Sequence, residues 1–240
     1  MSTNIKAAVS LLALNKKDKI EDFFKILKKH EIRYVEIPIS KILNNYELDK
    51  NKLTRFKNLL YKYHLKVSCV QSIFFGRPEL NIFNPKKNNE ILEHLLKVIK
   101  ISRFIGCYKL IFGSPINRFF FKKKSKKNNA IIIFKKIANI CKKNKVIFCI
   151  EPNAKFYNCN YINNISQAKL LVEKINSKFF KINFDTGNFF LENDKLNDLK
   201  KLNKLIVNFQ ISEKKLKGLE NSTINHKKIL SNFKINKRNV

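Results

Sequence analysis

Acidic residues are scarce in this 240-residue chain: 18 Asp and Glu stand against 50 Lys and Arg, a net charge of +32. Glycine and proline are scarce too, with five of each, which excludes a collagen-like repeat or a chain made mostly of linkers. No CxxC pair occurs. The five cysteines (Cys69, Cys107, Cys141, Cys149 and Cys159) are odd in number, and Cys69 and Cys149 lie in apolar, strand-like runs. That pattern predicts buried, reduced thiols in a cytoplasmic protein rather than a disulfide framework. No apolar run approaches the roughly 18 residues that a membrane-spanning helix needs. Neither GxGxxG nor GxxxxGKS/T is present, so a doubly wound fold with a nucleotide site has no motif behind it.

What is present is a folding chain. Hydrophobic residues make up 44% and aromatics 12%, enough for a substantial core despite the charge. The positive residues are mostly Lys and occur in every segment, alongside heavy use of Asn, Ile and Phe. This distribution reads as compositional drift rather than as one polyanion-binding face. Generic attraction to nucleic acid at low salt, without specificity, is the expectation. The densest run, Lys122-Lys123-Lys124-Ser125-Lys126-Lys127, reads as a solvated loop. The N-terminal stretch Ile5–Leu14 has little charge and no clean cleavage site, and reads as a first core strand rather than a signal peptide.

Short apolar runs alternate with amphipathic ones. The strands are predicted at Ile5–Leu12, Tyr34–Ile39, Lys66–Ile73, Lys109–Gly113, Val146–Glu151, Phe179–Asp185 and Leu205–Ile211. Between them apolar residues recur at helical spacing, as in Ile20, Phe23, Phe24 and Leu27, or Ile91, Leu95, Val98 and Ile99. Apolar strands joined by helices make a parallel sheet covered on both faces. Seven such units within 240 residues predict an α/β, TIM-type (β/α) barrel in one domain, residues 1–240. After a short helix near His226–Phe233 no eighth strand is visible, so the barrel is read as truncated before that strand. Its two open edges are expected to be covered by the C-terminal tail or by a second subunit in a homodimer.

In such a barrel the chemistry sits where the strands end. Polar residues there are Glu36, Gln71, the run Gly113–Arg118, Glu151 with Asn153, Asp185 with Asn188, and Gln210 with Glu213. Glu151 and Asp185 are one βα unit apart, as are Asp185 and Gln210. Three oxygen-bearing side chains on neighbouring strands suit Mg²⁺ or Mn²⁺. The same acids serve equally well as caps on loop amides. Arg118 suits an anionic substrate group, since a guanidinium grips phosphate or carboxylate in bidentate fashion, and equally a loop arginine paired with an acid. Gln71, Asn153 and Asn188 suit sugar hydroxyls or loop backbone. His30, His64, His94 and His226 all fall in or beside helices, and none ends a strand.

Val67–Gly76, Phe112–Arg118, Ile150–Asn153, Phe184–Asn188 and Phe209–Glu213 together resemble the sugar-phosphate isomerase/epimerase branch of the xylose-isomerase-like TIM barrels. The resemblance implies a divalent metal held by acids on strands five and six, a His on strand seven and a Glu on strand eight. Glu151 and Asp185 match the first two, Gln210 stands where the His is expected, and the strand-eight Glu has no counterpart. It further implies isomerisation or epimerisation of a sugar or sugar phosphate through an enediolate, with Glu151 as proton shuttle and metal ligand. The rival reading is a degenerate, non-catalytic barrel that keeps a sugar-binding mouth. Apurinic-site endonucleases share the fold, but their cluster of histidines and acids has no match in four helix-placed histidines.

Overall fold

In the computed structural model, residues 7–15, 17–121, 127–196, 199, 202 and 204–231 are described. Seven parallel strands follow one another in chain order: β1 (Ala8–Ser10), β2 (Tyr34–Pro38), β3 (Lys66–Gln71), β4 (Lys109–Phe112), β5 (Ile147–Ile150), β6 (Phe180–Asp185) and β7 (Ile206–Gln210). The helices that cross between them are α1 (Ile20–Lys29), α2 (Lys50–Lys62), α3 (Asn88–Phe104), α4 (Lys127–Asn144) and α5 (Ile165–Ile175). A one-turn helix, α6 (Thr186–Leu191), follows β6, and α7 (His226–Ser231) follows β7. The chain is a TIM-type barrel with seven strands among the described residues, and β1 and β7 are each paired on one side only. The lysine run at 122–126, the end of the predicted helix near His226–Phe233 and the C-terminal tail beyond it lie outside the described residues.

Local chemistry accounts for the helices. Glu21 and Asp22 open α1 and Lys28 and Lys29 close it, matching the helix dipole at both ends. Asp49 caps α2 by accepting from the Lys52 amide, and Asn164 caps α5 by accepting from that of Gln167. Alternate strand residues then split between two cores. The large one lies between sheet and helices and is rich in phenylalanine: Phe112, Phe134, Phe148 and Phe180 are fully buried, with the Phe148 and Phe180 rings stacked 5.5 Å apart. The small one fills the lumen with Cys69, Ile111 and Cys149, flanked by Ile147 and Val207. All five cysteines are buried free thiols. Among the described residues no helix is long and apolar enough to cross a membrane.

Two bulges shape the lumen. Register shifts by one residue between Val35 and Glu36 against β3, and between Ile182 and Asn183 against β7. An extra residue re-aims the side chains beyond it. Past the shifts Glu36 lies opposite Cys69, Asn183 opposite Asn208, and Asp185 opposite Gln210.

Candidate functional site

The strand ends carry a polar layer over the small lumenal core. Glu151 follows β5, and its carboxylate accepts from the amides of Asn153 (3.1 Å) and Asn188 (3.4 Å) on one oxygen and of Asn183 (3.0 Å) on the other. Room for it comes from Gly113, where a Cβ would lie 2.6 Å from Glu151 Oε2. Asp185 caps α6: one oxygen accepts from the backbone and side-chain amides of Asn188 (2.8 and 3.1 Å), the other from Ser212 Oγ (2.7 Å). Asn188 also accepts from the Ala154 amide at 2.8 Å, so one side chain joins the ends of β5 and β6.

The layer continues across the open side of the barrel. Gln210 Nε2 donates to Glu36 Oε2 (2.7 Å) and Gln71 Oε1 (3.3 Å), while its oxygen accepts from Asn183 (2.7 Å). Asn208 Nδ2 donates to Glu36 Oε1 (3.2 Å) and Asn183 Oδ1 (2.9 Å). Gln71 donates to Ser10 Oγ. Side chains of β7 thus reach β2 and β3, and β3 reaches β1, without backbone pairing between β7 and β1. Among the described residues Glu36, Glu151 and Asp185 form no ion pair.

Burial and the nearby Asp185 push the Glu151 carboxyl up to about 8, against the opposing pull of Arg118 and the asparagine amides. Burial likewise raises Asp185, opposed by its hydrogen bonds to Asn188 and Ser212. Burial, and after it the Asp185 and Glu151 carboxylates, raise the hydroxyl of Tyr157 on the turn Lys155–Tyr157 after β5.

Arg118 is the largest fully enclosed side chain. It donates to Asn153 Oδ1, its Nε and Nη1 have no hydrogen-bond partner, and the Phe112 ring lies 5.9 Å from the guanidinium carbon. Of the two roles read for Arg118, anion ligand or paired loop arginine, the structure shows an enclosed guanidinium bonded to Asn153, away from solvent. The strand-end residues Glu151, Asp185, Gln210, Gln71, Asn153 and Asn188 do converge on one mouth. Glu36, Asn183 and Asn208 belong to the same net. No role is read for them from sequence, although Asn183 and Asn208 each stand two residues before a candidate, on the same strand face. Glu213 turns away to hold the C-terminal segment, bonding Ser222, Thr223 and, at 2.8 Å, the His226 ring.

The family model described as xylose isomerase-like TIM barrel matches residues 24–229. The chain belongs to that family. No curated protein sequence matches it. Among solved structures, an AP endonuclease, family 2, from Brucella melitensis is similar at a TM-score of 0.77 and 15% identity, covering 94% of this chain and 86% of that one. The 3-keto-D-glucoside 4-epimerase YcjR of E. coli gives 0.72 at 14% identity, covering 95% and 86%. The IolI protein, whose structure holds a zinc atom, gives 0.70 at 15% identity, covering 95% and 84%. At these identities the likeness is one of fold.

Membership raises the question of a metal, and the donor set answers it poorly. Glu151 and Asp185 each already accept three hydrogen bonds of the roughly four a carboxylate can take. Gln210 is neutral, and its oxygen is engaged by Asn183. Among the described residues no group of three or more His, Cys, Asp or Glu is arranged to hold a metal ion. The expected Mg²⁺ or Mn²⁺ on Glu151, Asp185 and Gln210 does not fit this net: two of the three are capped by amides, and the third faces along the net.

Proposed function

We propose that the mouth binds a small carbohydrate and that Glu151 moves a proton between neighbouring carbons of the bound sugar, the chemistry of an isomerase or epimerase. The observation that carries this reading is Glu151 itself: a carboxyl at the end of β5, partly open to the mouth, held by three amides and pushed up to about 8. A carboxyl that titrates near working pH serves as both base and acid. As carboxylate it takes a proton from the carbon beside the carbonyl, and the C–H electron pair passes into an enediolate. As carboxylic acid it returns that proton to the neighbouring carbon, while the proton of the adjacent hydroxyl passes to the former carbonyl oxygen, so that the new carbonyl forms where the hydroxyl was. One such group on one face suffices for aldose–ketose isomerisation, which we favour. Epimerisation with inversion calls for a second group opposite.

Gln71, Asn153 and Asn188 supply amides suited to sugar hydroxyls, each exchanging a bond within the net for one to the ligand. With Arg118 enclosed, no guanidinium is offered to a phosphate, which supports an unphosphorylated sugar over a sugar phosphate. The metal-dependent form of the reaction expected from the resemblance is not part of this reading. A second reading has its own support. Gln210 stands where the resemblance implies a histidine, and the mutual pairing of the polar layer suits a barrel that binds a sugar without turning it over.

Conversion of a panel of aldoses and ketoses, followed by NMR with the wild type and Glu151→Gln, separates the two readings. Turnover that Glu151→Gln abolishes, with sugar binding retained, supports the isomerase. Binding without turnover in both proteins supports the binding barrel. Turnover that survives Glu151→Gln refutes the proton-transfer role.

A further inference from the structure

We infer that Lys109, from inside the barrel, orients the amide net that keeps a divalent metal out of this mouth. Lys109 opens β4 in register with Ile147 of β5, on the lumenal side, two side-chain layers below Glu151. Its ammonium donates to Asn208 Oδ1 at 3.2 Å. An ammonium only donates, so it fixes the direction of that amide: the Asn208 oxygen faces down and its nitrogen faces Glu36 and Asn183. Asn183 then presents its oxygen to Asn208 and its nitrogen to Glu151 and Gln210. Gln210 presents its oxygen to Asn183 and its nitrogen to Glu36. A positive charge at one end and carboxylates at the other orient every amide between them, and bonds in such a chain reinforce one another.

Two consequences follow. First, the direction of the chain is set from below: Lys109 Nζ can only donate to Asn208 Oδ1, so Asn208 keeps its nitrogen toward Glu36 and Asn183. Second, Gln210 can turn its oxygen toward a cation beside Glu151 and Asp185 only by giving up its bond to Glu36 and setting two amide nitrogens face to face. Gln210 is therefore the group that excludes the metal, and Lys109 the group that holds Gln210's partners in the excluding orientation. This inference does not depend on whether the mouth turns over a sugar, because its test reads metal uptake and stability alone.

The experiment uses the full chain, stripped with chelator and dialysed, with bound metal and melting temperature measured with and without Mn²⁺ and Zn²⁺. The wild type is expected to hold no stoichiometric metal and to show no shift. Gln210→His adds an imidazole beside the two acids and should take up one ion. At a hundredfold excess over its dissociation constant the ion should raise the melting temperature by roughly 5–10 °C. Asp185→Asn in that background should abolish the uptake. Lys109→Met, or the milder Lys109→Gln if the first does not fold, should melt lower than the wild type and be partly rescued by Mn²⁺. One metal per wild-type chain, lost in Asp185→Asn, overturns the inference. No uptake by Gln210→His overturns the role given to Gln210. A Lys109→Gln protein as stable as the wild type and indifferent to Mn²⁺ overturns the role given to Lys109.

Discussion

The Glu151 carboxyl makes folding stability depend on pH in a direction opposite to that of most carboxylates. Its pKa stands at about 8 in the fold against an ordinary value of 4.5. Between those values the folded chain keeps a proton that the unfolded chain has released, so stability falls as pH rises. The slope is at most about 1.4 kcal/mol per pH unit for one proton, and the whole span gives a ceiling of about 5 kcal/mol. Water reaching the open side of the mouth reduces this to roughly 2–3 kcal/mol. Glu151→Gln removes the titration while nearly keeping the shape. Urea unfolding of both proteins at intervals from pH 4.5 to 9 gives the difference in stability. That difference should move against the wild type by roughly 2–3 kcal/mol up to about pH 8 and then level off. For a chain of this size it corresponds to a relative loss of roughly 4–12 °C in melting temperature. A difference that stays flat across the range would refute the buried, repelled carboxyl.

Three further outcomes follow from the same geometry. Gly113→Ala places a methyl 2.6 Å from Glu151 Oε2 and must displace the carboxylate; any Glu151-dependent turnover should drop on the order of a hundredfold, read as kcat/KM. Asn208→Leu leaves Lys109 Nζ, Asn183 Oδ1 and one oxygen of Glu36 without their shared partner, and should cost about 3 kcal/mol or more in urea unfolding. Glu213 behaves in the ordinary sense for an acid: its bonds to Ser222, Thr223 and His226 hold it down to about 2. That contribution is present above about pH 4.5 and is lost as pH falls toward 2. Glu213→Gln should therefore narrow the loss of stability on acidification, measured by thermal melts at pH 6 and pH 3.

How much of this was legible beforehand differs between fold and site. The seven strands follow from short apolar runs, because a strand covered on both faces needs an apolar residue at nearly every position. Their ends follow from the first polar residue beyond each run, which is how Glu151, Asp185 and Gln210 come to light. The bulges beside Glu36 and Asn183 are not legible in hydropathy: the extra residues, Ser68 on β3 and Val207 on β7, pass for ordinary strand positions. Without them the pairing of Asn208 with Asn183 and Glu36 cannot be placed. Arg118 stays between its two readings in sequence for a related reason: its position after β4 is plain, but whether its side chain is enclosed or open to solvent depends on tertiary packing. Lys109 opens a strand amid lysines of every kind, and only the curvature of the sheet distinguishes it from a solvated one.

The most direct measurement is solvent deuterium wash-in: candidate sugars incubated with the protein in D₂O, with the hydrogen beside the carbonyl followed by NMR. It reads the proton step even where no net conversion accumulates. The wild type should exchange that hydrogen in at least one aldose or ketose after chelator treatment, and Glu151→Gln should not, while still binding the same sugar. Exchange that persists in Glu151→Gln, or that appears only when Mn²⁺ is added back, would contradict a metal-free mouth working through Glu151.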